Sequence, residues 1–598
     1  MVYDIRTTSV FYVCGISYAF FWWALFAIYC VFYQINRLRV YYVRKSRING
    51  KDDNVVQNLP GTRWLHRFDH VVRIPFVTEM MPVKHVIGIS LFIIINLLFI
   101  FFAPFAMTGP YTLTTIGIFD RRAAFVGMVN WGFVFFLAQR NSVLPKMSGL
   151  TFEELIPYHR IIARVGLAEF IPHFVWRMLH GYQKTYIAAD TLFYNEEQTT
   201  GTISMLGFLL MFVTSFEYMR RNHFEIFYWS HIIGLIVAII FACWHEHTCF
   251  AFFIPAIILW AVDRVIRSYQ SWCVKTASVR VDQVVSPSNS QEGIVRVLFE
   301  SNVMKAFRPG QYVFVSMAKS KFKLWKYANW HPYTISEVFR VSSAADGGIE
   351  ERVIGKNEAA VIDEKEKNHK NGSGSLTDID SISDTSSLRR RTTALPGSEA
   401  KTIASFHIKG LGKKTVGLLD SAATHEKLTV KVDGVYGPQL QYQDYQVVSL
   451  FAAGIGVTPA LVIMKDIIEK RANGVKTVAV ENVYLTWAIR SVEEVNAFID
   501  MFSYWNERSK TAILPIYINV NVYVTRMTEG PNVFEGMPGF SVFYGERPKI
   551  DMEMDKVQTV NGKRRVWAHA CGGDEFTCTV INEAVRHHFD VHNETFEF

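Results

Sequence analysis

Residues 156–173 read IPYHRIIARVGLAEFIPH and residues 227–245 read FYWSHIIGLIVAIIFACWH, and these two stretches decide the architecture. The first carries His159 and His173, the second His231 and His245, and in each the two histidines stand 14 residues apart. On an α-helix 14 residues turn through about 1400°, within about 40° of a whole number of turns, and rise about 21 Å. Each pair therefore shares one helix face, with one imidazole toward each end of a segment long enough to cross a hydrocarbon core of about 30 Å.

Working outward, seven stretches have the length and apolarity of spans: Val10 to Tyr33, His85 to Ala106, Ala123 to Gln139, Leu155 to Leu179, Ile203 to Phe216, Phe224 to Trp244 and Phe250 to Val265. Lysines and arginines accumulate on the cytoplasmic side of spans. Arg37, Arg39, Arg44, Lys45 and Arg47 follow span one, Arg140 and Lys146 span three, Arg220 and Arg221 span five, and Arg264, Arg267 and Lys275 span seven. This places the N-terminus outside and the large C-terminal region in the cytoplasm, with Arg121 and Arg122 against the pattern. Span one has no basic leader and no small-residue cleavage site, so it reads as an uncleaved anchor. The 598 residues are 50% hydrophobic and 19% charged, with net charge +8, but the long apolar runs all lie before residue 270. That asymmetry excludes a purely soluble enzyme, and the extramembrane half excludes a simple channel. Seven cysteines without a CxxC pair argue against a disulfide scaffold or zinc finger.

Histidines inside spans are costly, and a single one is ordinarily a hydrogen-bonded core residue. Two pairs at identical, face-preserving spacing on parallel helices point elsewhere. His159 can face His231 near the cytoplasmic side and His173 can face His245 near the outside, as axial ligands of two bis-histidine haems. His247 lies about 160° round the helix from His231 and is rejected. His180 remains a rival for the outer ligand, and His66, His70, His85 and His223 read as surface or interface residues.

From about Ser278 the pattern changes to short alternating strands, VRVDQVV, GIVRVLFE and QYVFVSM, with an RPGQ turn at Arg308 to Gln311. These suggest a small antiparallel barrel. In the run His331-Pro332-Tyr333-Thr334-Ile335-Ser336, the Tyr333 ring suits stacking on an isoalloxazine and Thr334 suits a hydrogen bond to it, although a plain strand after a proline turn reads the same way. Lys409, Gly412 and Thr415 stand where a glycine turn could admit a pyrophosphate. Residues 342–402 are Ser-, Gly- and charge-rich and read as a disordered insertion. Its RRRTT run, Arg389 to Thr393, reads as a solvated charge run or a kinase site. Farther on, Val447 to Phe451 is a buried strand, Gly454 and Gly456 allow a tight turn, Thr458 is expected to cap a helix and Pro459 to occupy its first position. The result is a phosphate site at a helix N-terminus. VYLTWAI, ending before Arg490, and RRVWAHA, ending at Cys571-Gly572-Gly573, fit neighbouring strands of one parallel sheet, where ligands bind at the carboxyl ends. Arg490 is placed to meet a 2′-phosphate, which favours NADPH over NADH; a surface arginine is the alternative.

In this order the motifs resemble the ferric reductase and NADPH oxidase superfamily of flavocytochromes, most closely the fungal ferric-chelate reductases. The likeness covers roughly residues 120–598 and rests on IPYHRIIARVG, FEIFYWSH, RPGQY, HPYTIS, VDGVYGP at Val432 to Pro438, AAGIGVTP, the CGG turn and an aromatic C-terminus. It implies an α-helical bis-haem membrane domain with two b-type haems, then a ferredoxin-reductase-like module: an antiparallel β-barrel for FAD and an α/β parallel sheet for NADPH. The resemblance carries His331, Pro332, Tyr333 and Thr334 onto the flavin motif, and Gly454, Gly456, Thr458 and Pro459 onto the NADPH phosphate loop. It carries Cys571 and Gly572 onto the nicotinamide-side turn and Phe598 onto the terminal aromatic that shields the flavin. Gly573 replaces the family's usual Pro, and Tyr333 the commoner Phe.

The expected domains are 1–84, an anchor span and cytoplasmic loop; 85–270, the transmembrane haem domain; 278–440, the FAD barrel; and 441–598, the NADPH domain. The expected activity is electron transfer from cytosolic NADPH through FAD and two haems to an acceptor outside, a ferric or cupric chelate or else dioxygen. The outer loops carry Asp190, Glu196, Glu197 and Glu246, which favour metal cations. A non-catalytic membrane scaffold is the rival of a different class, opposed by the intact ligand pairs. Nucleic-acid binding is excluded because loop-end cations account for the excess charge. The sequons at Asn371 and Asn593 fall in expected cytoplasmic segments. The plasma membrane is the expected location, with endoplasmic reticulum or vacuole as alternatives; protein partners and oligomeric state stay open.

Overall fold

The computed structural model describes residues 11–49, 63–74, 78–105, 114–140, 143–273, 279–285, 293–300, 308–318, 330–343, 349–353, 401–410, 415–419, 429–438 and 440–594. Seven long helices stand where seven spans are expected: α1 Tyr12–Ile48, α2 Val83–Phe102, α3 Thr115–Leu137, α4 Phe152–Thr185, α5 Glu196–Thr214, α6 Phe224–His245 and α7 Cys249–Cys273. Among the described residues, α1, α2, α6 and α7 are long and apolar enough to cross a membrane. Of the other three, α4 holds Glu153, Glu154, Arg160, Arg164, Glu169 and Arg177 within its length, α3 has Asp120, Arg121 and Arg122 in succession, and α5 opens on the polar run Glu196 to Thr200.

The helix ends correct the span limits. Helix α3 begins at Thr115, eight residues before the expected start at Ala123, because Thr114 caps it by accepting from Gly117 N. This puts Arg121 and Arg122 inside the helix and explains their exception to the charge rule. Arg122 donates to Phe101 O at 2.6 Å and to Ala103 O, and its guanidinium lies 4.8 Å from the Phe105 ring centroid. It thus satisfies carbonyls that the end of α2 leaves without helical partners. Helix α5 begins at Glu196 rather than Ile203, with Asn195 Oδ1 accepting from Gln198 N at 2.8 Å. Helix α4 starts at the TFEE sequence, where Glu154 Oε2 accepts from Thr151 N at 2.8 Å, half of a capping box.

The chain divides into two compact units. The first is built on residues 12–37 and 85–268. Small residues let its helices approach closely: a Cβ on Gly207 of α5 would come within 2.8 Å of Ala238 N on α6. Its centre is polar. Tyr18 Oη lies 2.9 Å from Asn96 Oδ1 and 2.8 Å from Asn130 Oδ1, while Asn130 Nδ2 donates to Asn96 Oδ1 and to Glu169 Oε2, both at 2.7 Å. These buried groups pin α1 to α4 to one another in a setting where an unpaired polar atom is expensive.

The second unit includes residues 38–84 and the chain after 330. It contains two antiparallel sheets. One has β3 Val279–Val285, β4 Ile294–Glu300, β7 Glu337–Ser343, β8 Ile349–Val353 and β9 Lys401–Lys409 in the order β3-β4-β9-β7-β8. The other is β10-β5-β6, from Thr429–Tyr436, Tyr312–Ala318 and His331–Thr334. Val295, Val297, Phe406 and Ile408 from the first sheet pack with Val313, Val315 and Ile335 from the second in one core. The expected insertion is shorter than residues 342–402, because β8 pairs antiparallel with β7 and β9 begins at Lys401. The rest of it, 354–400 with Arg389 to Thr393, lies outside the described residues.

A six-stranded parallel sheet follows, in the order β14-β13-β12-β11-β15-β16. Its strands are β11 Val447–Ala453, β12 Asn482–Ile489, β13 Tyr517–Val524, β14 Phe540–Tyr544, β15 Val566–Cys571 and β16 Asp590–Glu594, and helices α8 Val457–Ala472, α9 Ile499–Lys510, α10 Ile550–Asn561 and α11 Asp574–Arg586 cross between them. From β11 the chain runs outward through β12 to β14, then returns to the other side of β11 as β15. That reversal is a topological switch point, the place where open α/β sheets bind ligands.

An N-terminal strap completes this unit. Arg44 Nη2 and Arg47 Nη1 reach Asp444 at 2.6 and 3.4 Å, with Asp444 3% exposed. The hairpin of β1 Val71–Ile74 and β2 Thr78–Pro82 lies beside α11, where Val71 N donates to Asn582 Oδ1 at 2.9 Å. His66 bridges Asp69 at 2.9 Å and Asp590 at 3.2 Å.

Candidate functional site

In the helical unit, His173 of α4 and His245 of α6 face each other with ring centroids 6.1 Å apart and planes at 72°. That gap leaves room for one metal ion with a bond of about 2 Å to each ring nitrogen. Each imidazole is oriented by its Nδ1. His245 Nδ1 donates to Glu197 O at 2.8 Å, and His173 Nδ1 to Asp120 Oδ2 at 3.0 Å. A carbonyl or carboxylate there fixes the proton on Nδ1 and turns the Nε2 lone pair toward a metal. Gly201 makes the room for His245, since a Cβ at that position would meet the imidazole at 2.9 Å. The donor set, spacing and cradle fit a bis-histidine haem.

His159 and His231 lie 14 residues from His173 and His245 on the same two helices. His159 Nδ1 donates to Val134 O at 3.0 Å; His231 Nδ1 lies 3.4 Å from Ser215 Oγ. His180 is exposed and stacks on Trp176, with ring centroids 6.1 Å apart. Two of the four acidic residues expected to draw metal cations have local side-chain partners: Glu196 accepts from Trp244 Nε1 at 2.5 Å and Glu246 from Thr248 N at 3.1 Å. Sequence reasoning missed Asp120. Its signal was a carboxylate beside the two anomalous arginines.

In the antiparallel sheets, Tyr333 is half-buried on β6, with its ring 6.0 Å from Phe406, and burial pushes its phenol up to about 12. Pro332 pairs with Phe314 across the sheet and His331 stands exposed at the strand start. Thr334 Oγ1 and Tyr312 Oη are buried without a hydrogen-bond partner among the described residues. Orphaned hydroxyls beside an HPYT strand fit a bound group that supplies their partners, as FAD would. Lys409 is engaged elsewhere: its Nζ is 2.8 Å from Glu494 Oε1, with both side chains buried. Thr415 is half-buried on a short helical turn, whereas Gly412 and Phe598 lie outside the described residues.

At the switch point, Gly454 has φ +55, a left-handed conformation that glycine adopts without strain. Gly454–Gly456 forms a 3-10 turn that runs straight into α8. This corrects the expected cap. The helix begins at Val457 with Gly456 as its N-cap, Thr458 Oγ1 donates back to Ile455 O at 3.0 Å, and Pro459 is the third helical residue, where its missing N–H still costs no helical bond. The amides of this first turn stand at the carboxyl end of β11 without helical partners, the arrangement that binds phosphate. A Cβ on Gly456 would sit 2.7 Å from Cys571 O and 3.2 Å from Cys571 Sγ, so the turn and the β15 end are in contact. Cys571 is buried and its thiol is raised well above the ordinary range, first by desolvation and then by Glu594. Gly572 and Gly573 lead directly into α11, and Arg490 stands exposed just beyond β12, beside β11.

A polytopic helical bundle with a histidine pair poised for a metal, followed by two antiparallel sheets and a parallel-sheet nucleotide fold, defines a membrane-bound oxidoreductase with a ferredoxin-reductase-like module. Comparison with known families agrees along the chain. Residues 123–243 match the ferric reductase like transmembrane component, 281–439 an FAD-binding domain and 445–585 the ferric reductase NAD binding domain. The chain belongs to the ferric reductase and NADPH oxidase superfamily and is an integral membrane protein. It is 26% identical over 425 residues to ferric reduction oxidase 7, chloroplastic, of Arabidopsis thaliana, covering 70% of this chain and 48% of that one. It is 25% identical to ferric reduction oxidase 5 of the same plant over 69% of this chain and 48% of that one. It is 23% identical to respiratory burst oxidase homolog protein B of Solanum tuberosum over 62% of this chain and 43% of that one. The chain spans about half the length of the curated relatives it matches.

Proposed function

We propose that the protein carries electrons from cytosolic NADPH across a membrane to a ferric or cupric chelate on the far side. The observation that carries this reading is the facing of His173 and His245 at 6.1 Å. When bound, FAD would supply the exchange of a hydride for single electrons, and haem iron would supply single-electron transfer.

The chain's own residues bind and orient. The amides at Gly454, Gly456 and the start of α8 hold the dinucleotide phosphates, Arg490 pairs with a 2′-phosphate, and Cys571 with Gly572 flanks the nicotinamide. Pro332, Tyr333 and Thr334 seat the flavin, with His331 at the strand start. His159 with His231 and His173 with His245 hold two b haems. The domain limits that go with this reading are 1–84, 85–270, 278–440 and 441–598, with the last two in the cytoplasm and the plasma membrane as the site of action.

Dioxygen as acceptor is the second reading, favoured by the likeness to a respiratory burst oxidase homologue. Purified protein given NADPH and chelated iron separates the two. Iron reduction that persists with superoxide dismutase supports the metalloreductase; its complete loss on adding dismutase overturns it.

A further inference from the structure

The four candidate haem ligands differ in what holds their Nδ1 atoms. His159 and His245 donate to neutral carbonyls and His231 lies at long range from a hydroxyl, whereas His173 alone donates to a carboxylate, Asp120. Asp120 is wholly buried. Its Oδ2 also takes Arg177 Nη2 at 3.2 Å, and its Oδ1 is buried with no partner among the described residues. Arg177 and His173 thus share one carboxylate oxygen, and the direct path from Asp120 to a candidate ligand is the Nδ1–H of His173.

We infer that Asp120 is a positioning residue that lowers the midpoint potential of the iron held by His173 and His245, leaving the other iron unaffected. A carboxylate accepting from Nδ1 draws the imidazole toward imidazolate, which makes Nε2 a stronger donor and favours the oxidised metal. Arg177 opposes this by sharing the same oxygen. The two side chains thereby set how reducing the last carrier before the acceptor is. The inference rests on the bis-histidine reading of this pair.

The test is a spectroscopic redox titration of the full-length, haem-loaded protein in nanodiscs, followed in the Soret band. Wild type is expected to titrate in two waves. Asp120→Asn moves one wave to higher potential and leaves the other in place, while Arg177→Gln moves the same wave lower. Asp120→Glu returns it toward wild type. Two unshifted waves in Asp120→Asn with both haems retained overturn the inference, as does a common shift of both waves. Should Asp120→Asn load poorly, Arg177→Gln decides alone, and an upward shift or none overturns it. A wild-type protein that binds no haem would instead remove the bis-histidine reading itself.

Discussion

Lys409 Nζ meets Glu494 Oε1 at 2.8 Å with only 5% and 4% of their side chains exposed, joining β9 of the antiparallel sheets to the turn after β12 of the parallel sheet. Breaking a buried pair on one side leaves an uncompensated charge. Glu494→Gln is expected to destabilise the reductase module by about 3–5 kcal/mol, read by thermal unfolding of the solubilised protein. The Lys409→Met, Glu494→Leu double variant should recover most of that loss. A Glu494→Gln protein with unchanged unfolding would show that the ion pair is solvated. Because Lys409 is committed to this pair, FAD content should fall in Lys409→Met only as far as stability falls.

At the switch point, Gly456→Ala puts a methyl 2.7 Å from Cys571 O, so the turn or the β15 end must move. Displacements near 1 Å at a positioned cofactor cost on the order of 10²-fold. Steady-state turnover with NADPH should drop by about that factor in kcat/KM, with haem content intact. Wild-type kinetics would place the dinucleotide elsewhere.

Arg490 gives a cofactor-selective prediction. A hydrogen bond to a charged group contributes about 1.5–3 kcal/mol, so Arg490→Ala should raise the KM for NADPH roughly tenfold or more and leave that for NADH in place. Equal effects on both cofactors would assign Arg490 to the surface.

The strap predicts a pH response. The hydrogen bond from His66 to Asp69, chiefly, and the charge of Asp590 raise the His66 pKa above its ordinary value near 6.5, against desolvation. A raised histidine contributes its full stability below the unfolded value and loses it as pH climbs through the folded one. Amide protection in residues 63–82 should therefore weaken as pH rises past the ordinary histidine range, and His66→Ala should abolish the dependence. Protection that strengthens with rising pH in wild type would contradict the bridge.

Much of the architecture was legible because it is periodic. The spacing of His159 to His173 and of His231 to His245 is a property of one helix at a time, and the β11 run followed by a glycine turn is local as well. Readings that depended on a few atoms at a boundary went astray. Thr458 has the composition of a cap, but the 3-10 turn at Gly454–Gly456 moves the helix start two residues earlier, from Pro459 to Val457, and turns its hydroxyl the other way. Arg122 read as a topological anomaly because the carbonyls it satisfies belong to a different helix. The pairing of Arg44 and Arg47 with Asp444 was invisible because it joins residues far apart in the chain, with no signal in either neighbourhood alone; Asp120 stood beside the two anomalous arginines, but its partner His173 lies 53 positions on.

The strap also has a consequence for biogenesis. Val71 and Asn582 are separated by 511 positions, so all of the intervening chain must leave the ribosome before the hairpin finds its partner. Domains emerge and fold in order during synthesis. The first helix can thus be inserted long before its extension is anchored, and a truncated product lacking α11 and β16 would leave the hairpin and His66 without their docking partners. Such a stalled chain would carry its hairpin undocked, a state that only the synthesis of α11 and β16 relieves.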